Sequence, residues 1–353
     1  MSEVSQGKHR YYAELDGVRA IATLLIMTFH AWQHGLPVRG PVTFGQTGVD
    51  LFFVLSGFLI TSILLSARQR DWGEVRTFYV RRSLRIFPLY YGYLIVATLL
   101  GARITWQFWV YLQNFWISNN WAYSGPNHFW SLAVEEQFYL VWPFLVLFAP
   151  RKHLAKILWG IVGMSAAVRL GFAIYDPMHD VFGNTFTRAD TLAVGALLAL
   201  WNRSGALERH RMRVIAGVLV LGVAMVVVGL AGGQTGSIAV KTFKYDIIEG
   251  FYTALLGMVL LGVVPGFNAV LRARPLRFVG RVSYGLYVFH PLAFLWTFHE
   301  LAGVPWIVRG PAGYLVALAM AIVSWYAYER YFIRLKDKFA PEPRPTPHAP
   351  LSV

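Results

Sequence analysis

The chain contains no cysteine. Disulfides, thiolate nucleophiles and cysteine-ligated metals are thereby excluded, and the redox character of the compartment leaves no mark. Charge is also scarce. Asp, Glu, Lys and Arg make up 14% of the 353 residues, against about 25% in a soluble domain. A water-facing surface cannot be built from so few charges, whereas a lipid-facing one can. Acidic residues are the scarcer sign, 18 against 32 Lys and Arg, for a formal net charge of +14. Nucleic-acid binders gather such charge on one patch of a soluble domain. Here it lies in short clusters between long apolar runs, so no nucleic-acid partner is expected. Gly-rich phosphate loops, HExxH and other metal-ligand spacings are missing, and no metal is expected. Residues 1–14 are polar and lack a small-residue cleavage site, so no removable signal peptide is expected.

Hydrophobic residues are what the chain has in abundance, at 56% with a mean hydropathy of +0.47. Runs near the roughly 20 residues needed to cross a bilayer recur throughout. They predict spans at 15–34, 47–67, 86–102, 128–149, 153–175, 185–202, 211–231, 246–265, 278–298 and 311–333. The short aromatic stretch 104–117 reads as interfacial or re-entrant. With the N-terminus inside, the intervening basic residues divide 24 on the cytoplasmic side against 5 opposite, as the preference of positive loops for the cytoplasm requires. The fold expected is therefore all-α: a polytopic membrane bundle of about ten transmembrane helices with both termini cytoplasmic. It comprises a cytoplasmic segment 1–14, a transmembrane domain 15–333 and a Pro-rich, disordered tail 334–353.

Ionisable groups in hydrocarbon normally face the bundle interior or a water-filled cavity. The first span holds Asp16, Arg19 and His30. Arg19 and His30 are eleven residues apart, which puts them on one helix face about 16 Å apart along the axis. A phosphate-bearing donor could sit on the arginine while its long arm reaches the imidazole; lipid snorkelling and a plain interhelical bond are the structural alternatives. The fourth span carries His128, Ser131, Glu135 and Glu136. Adjacent glutamates point about 100° apart, so one could orient an imidazole while the other pairs with an arginine. Ser131 lacks the GxSxG context of a nucleophile. Arg81, Arg82 and Arg85 precede the third span, either setting topology or clamping a donor phosphate. Asp50 opens the second span, His290 precedes a proline, Arg188 and Asp190 could pair with each other, and Glu329 reads as structural. Arg169 has no evident partner.

Six segments in order resemble the membrane acyltransferase 3 family, over nearly the whole chain from Glu14 to about Tyr331: ELDGVRAIATLLIMTFH, TGVDLFFVLSGFLIT, RRSLRIFPLYY, HFWSLAVEEQFYLVWP, RADTLAVGALLA and GRVSYGLYVFHP. The resemblance implies a bacterial inner-membrane enzyme with ten spans that transfers acyl groups, usually acetyl from acetyl-CoA, to hydroxyls of surface polysaccharide, lipopolysaccharide, peptidoglycan or macrolides. The family's Arg-x10-His pattern falls on Arg19 and His30. His30 is then the catalytic base or acyl acceptor, with Glu136 or Glu135 orienting it. Arg19, Arg81, Arg82 and Arg85 would hold the donor, and Asp50, His128, Ser131 and His290 would line the substrate site. Acylation of a small secondary metabolite, or transport of a glycan or lipid without chemistry, are the competing readings.

Overall fold

A computed structural model describes residues 12–37, 41–67, 69–117, 125–176, 181–230 and 237–340. The N-terminal segment 1–11 and the tail from 341 lie outside the described residues; residues 334–339, expected within a disordered tail, are helical instead, as the end of the helix Arg330–Phe339. Among the described residues every regular element is helical. Ten helices have 18 residues or more: α1 (Glu14–Gln33), α2 (Gly48–Leu65), α3 (Trp72–Leu99), α4 (Trp130–Phe148), α5 (Arg151–Tyr175), α6 (Thr185–Arg203), α7 (Arg211–Leu230), α8 (Ile238–Leu260), α9 (Ser283–Glu300) and α10 (Trp306–Ser324). Each contains most of one expected span.

Five of them, α2, α4, α5, α7 and α10, are long and apolar enough to cross a membrane, the mark of a multi-pass membrane protein. A sixth candidate path joins α8 to a short helix, Pro265–Leu271, through a bend of 95°. The remaining four, α1, α3, α6 and α9, are as long but more polar. They are the helices that carry Arg19 and His30, Arg82 and Arg85, Arg188 and Asp190, and His290. Their polarity follows from bearing these residues.

Several boundaries differ from the expected ones for local reasons. α3 starts at Trp72 because Asp71 caps it, its carboxylate accepting the Glu74 N–H at 3.0 Å. Arg81, Arg82 and Arg85 consequently lie inside a continuous helix instead of ahead of it. Residues 104–117 form two short helices, Trp106–Trp109 and Gln113–Ile117, neither able to span. α10 runs on through a π-helical turn, Trp325–Glu329, into the helix Arg330–Phe339.

Packing sets α2 and α4 at the centre, with 72% and 61% of their apolar stretches buried, whereas α7 buries none of its own and lies at the periphery. The centre is closed by small residues. A Cβ on Gly57 of α2 would strike the Leu192 carbonyl, and one on Gly195 of α6 would strike the Val54 carbonyl. The two backbones touch through these glycines, as small residues permit between membrane helices. Pro143 in α4 has no N–H to give the Tyr139 carbonyl; the Tyr79 hydroxyl donates to that oxygen instead, at 3.2 Å. Gly195→Val should therefore destabilise the protein by about 1–3 kcal/mol through overpacking. Thermal unfolding in detergent would show this as a lowered midpoint, and an unchanged midpoint would mean that the α2–α6 contact is loose.

Candidate active site

Three histidines converge where α1, α9 and the turn ahead of α4 meet. His30 lies in the last turn of α1, and its Nδ1 is 3.0 Å from the Ile26 carbonyl and 3.2 Å from Nε2 of His290. Ring centroids of His30 and His290 are 4.7 Å apart, and those of His290 and His128 are 5.4 Å apart. His128 sits on the turn Asn127–Phe129, donating from Nε2 to the Val288 carbonyl at 3.3 Å. The Tyr287 hydroxyl donates to the His128 carbonyl and receives the Ser131 hydroxyl at 2.5 Å. His290 is fully buried and His30 half-buried. The site thus brings His30, His128, Ser131 and His290 together. Ser131 commits its hydroxyl to Tyr287, a residue that sequence reasoning missed although it stands three positions before His290 in the same motif.

The arginines divide into engaged and available. Arg82 stands between two carboxylates: its NH2 is 3.3 Å from Glu135 Oε2 and its Nε 3.5 Å from Glu136 Oε1. Its guanidinium lies 4.0 Å above the Tyr139 ring. Ser56 donates to the other Glu135 oxygen at 2.6 Å. Neither glutamate is bonded to His30 among the described residues, contrary to the expectation that one orients the imidazole. Both side chains are long enough to converge on one guanidinium despite their 100° separation. Arg81 donates to the Ala340 carbonyl at 2.9 Å, tying α3 to the C-terminal helix.

Arg19 is held by Asp16 at 3.0 Å. Arg85 faces Arg19, Arg82, Asp16 and Glu329, yet its side chain is exposed and makes no ion pair among the described residues. Arg85 is thus a surface-accessible guanidinium with both like and opposite charges around it. Glu329 is placed there by the π-helical turn and accepts the Ser324 hydroxyl at 2.8 Å. A separate cavity of about 410 Å³ lies by Tyr12, Glu14, Asn268 and Arg272 and holds none of the expected site residues.

Several other buried charges pair with one another across helices. Asp50, expected at the substrate, is 2% exposed and paired with the fully buried Arg188 of α6. Arg188 and Asp190 do not pair with each other, because positions two apart on a helix face opposite ways. Asp190 instead meets Arg169 of α5, which also bonds Asp246 at 2.8 Å and the carbonyls of Thr242 and Thr187 at 2.8 and 2.7 Å. Oxygens of Asp190, Asp246 and Glu249 lie within 4.8 Å of one another. Arg169 already supplies the cation for two of the three.

The family model described as "Acyltransferase domain" matches residues 12–329. The chain belongs to this acyltransferase family. It is 29% identical over 333 residues to the peptidoglycan O-acetyltransferase OatA of Listeria monocytogenes, covering 82% of this chain and 50% of that one. It is 30% identical to the putative peptidoglycan O-acetyltransferase YrhL of Bacillus subtilis, covering 91% and 55%. With the O-acetyltransferase OatA of Staphylococcus aureus the identity is 29%, covering 80% and 50%. The chain thus spans about half the length of the curated relatives it matches. No solved structure matches it.

The assignment of Asp50 and Arg188 to structure has a direct test. Asp50→Ala leaves Arg188 buried and uncompensated, which should cost about 3–5 kcal/mol, while the apolar double variant Asp50→Leu/Arg188→Met should recover most of it. Unfolding midpoints of the three proteins decide the matter. A single variant as stable as the parent would return Asp50 to the substrate site.

Proposed function

We propose that this protein is a multi-pass membrane O-acetyltransferase that transfers acetyl from acetyl-CoA to a hydroxyl of a cell-surface glycan. Peptidoglycan is the acceptor to test first, because relatives carrying that activity in their names match across most of this chain. Ten spans and cytoplasmic termini belong to the same reading, supported by the distribution of basic loops; a bacterial inner membrane is part of it on the strength of the family resemblance. The observation that carries it is α1, a single unbroken helix with Arg19 beside the accessible Arg85 near one end and His30 in the histidine cluster near the other.

The donor is a co-substrate that brings an activated thioester. Arg19 and Arg85 fit its phosphates, since both side chains keep accessible surface and charge-assisted bonds to phosphate suit guanidinium. Arg82 fits less well, being neutralised by Glu135 and Glu136. His30 faces the Ile26 carbonyl with Nδ1, so that nitrogen carries hydrogen and Nε2 presents the lone pair. Nε2 takes the proton of the acceptor hydroxyl as its oxygen bonds to the acyl carbon. The C–S bond breaks, and the leaving thiolate takes the proton back from the imidazolium. The products are an acetyl ester and free thiol, with His30 restored.

Membranes containing the protein, given acetyl-labelled acetyl-CoA, should pass label into a glycan fraction. His30→Ala, matched for expression and fold, should reduce that transfer by about 10²–10⁴-fold, the usual weight of a general base. Arg85→Ala should raise KM for acetyl-CoA with kcat less affected. Transfer undiminished in His30→Ala would remove the imidazole from the reaction. Glycan movement without acyl-CoA dependence would favour a transporter.

A further inference from the structure

Two imidazoles meet at 3.2 Å between His30 Nδ1 and His290 Nε2, and the backbone decides which atom carries the hydrogen. Pro291 lies inside α9 and has no N–H, so the Tyr287 carbonyl loses its helical partner. Nδ1 of His290 is 2.9 Å from that oxygen and 3.1 Å from the Leu286 carbonyl. A carbonyl only accepts, so His290 holds its hydrogen on Nδ1 and turns the lone pair of Nε2 toward His30. The alternative tautomer of His30 would set its Nδ1 lone pair against two acceptors at once, Ile26 O and His290 Nε2. His30 is thereby fixed with hydrogen on Nδ1 and its lone pair on Nε2.

We propose that His290 is a positioning residue for His30. It occupies, as a neutral acceptor, the place behind the base where a carboxylate was expected. This rests on His30 being the base, as argued above. When Nε2 of His30 takes the acceptor proton, the Nδ1–H bond to His290 becomes charge-assisted and shortens in strength's favour; when the thiolate recovers the proton, the pair returns to neutrality. No proton passes to His290, so a single bond stabilises the imidazolium without holding it charged between turnovers. A carboxylate in the same place would hold it charged. The ionisable groups around the pair are few: His34 just past the end of α1, His128 ahead of α4, Tyr287 on α9 itself and Tyr314 on α10, which bonds Thr28. Tyr93 of α3 packs on the Phe129 and Phe289 rings, and Glu329 adjoins Gly285 nearer the start of α9.

The test compares labelled-acetyl transfer and its pH profile, in nanodiscs, for the parent, His30→Ala, His290→Leu, His290→Gln and His290→Glu. His290→Leu should lower kcat by about 10²-fold, the scale of a misplaced reacting group, with KM for acetyl-CoA little changed. His290→Gln restores an oxygen acceptor and should recover most of that loss. His290→Glu should move the acidic limb of the profile to higher pH, because its carboxylate favours the imidazolium. In nitrogen-15 histidine spectra, His30 of the parent should show a protonated Nδ1 and a bare Nε2, and His290→Leu should mix the tautomers. A normal kcat in His290→Leu beside an inactive His30→Ala would overturn the positioning role alone. Full activity in His30→Ala would overturn the base as well. Should His290→Leu fail to fold, an unmoved acidic limb in His290→Glu would be decisive against the proposal.

Discussion

A charged side chain inside an apolar layer has to be neutralised by another helix, since neither lipid nor water is there to do it. Apolar surface does not tell one membrane helix from another, because lipid tails solvate all of them alike. Ion pairs do. Asp50 on α2 fits Arg188 on α6; Arg169 on α5 takes Asp190 on α6 and Asp246 on α8; Arg82 on α3 takes Glu135 and Glu136 on α4. Each pair joins two different helices, and an alternative order of helices would leave these charges bare. Breaking such a pair costs far more than the pair gains over an apolar substitute. Its value therefore lies in excluding wrong arrangements.

Saturation separates scaffold from site. Arg169 distributes its guanidinium over two carboxylates and two carbonyls and is fully buried. A group so fully engaged has nothing left to offer a substrate. Arg85 is the reverse, a guanidinium with charged neighbours, accessible surface and no ion pair among the described residues. His30 is similar, with Nδ1 engaged and its side chain still half-buried. Unfilled capacity at an accessible position is what binding requires, and it singles out Arg85 and His30 among many polar residues of the helices.

The helices were legible in the sequence because period, length and basic punctuation are local properties. The shared face of Arg19 and His30 was legible for the same reason, eleven residues being close to three turns. Partner choice was not. The nearness of Arg188 to Asp190 in sequence suggested a pair that helix geometry forbids, and nothing local pointed to Asp50, on another helix. Glu135 and Glu136 were read as separate because their Cα–Cβ directions diverge, but side chains of that length reconverge on Arg82. The start of α3 at Trp72 needed only the cap at Asp71, a signal that the basic run behind it obscured.

The histidine–proline step of α9 shows how a backbone defect can become chemistry. A proline within a helix normally weakens it by removing one hydrogen bond. At Tyr139, a hydroxyl from α3 fills the vacancy and the result is only structural. At Tyr287 the residue preceding the proline fills it, and that residue is a histidine whose second nitrogen faces His30. Repairing the helix consumes the Nδ1 hydrogen and so dictates the state of Nε2. One orphaned carbonyl thus propagates through two rings to the lone pair on Nε2 of His30, with no carboxylate in the chain. That arrangement suits a base set in a membrane. A carboxylate at His290 would add a formal charge beside the base, whereas an imidazole tied to its own helix adds none.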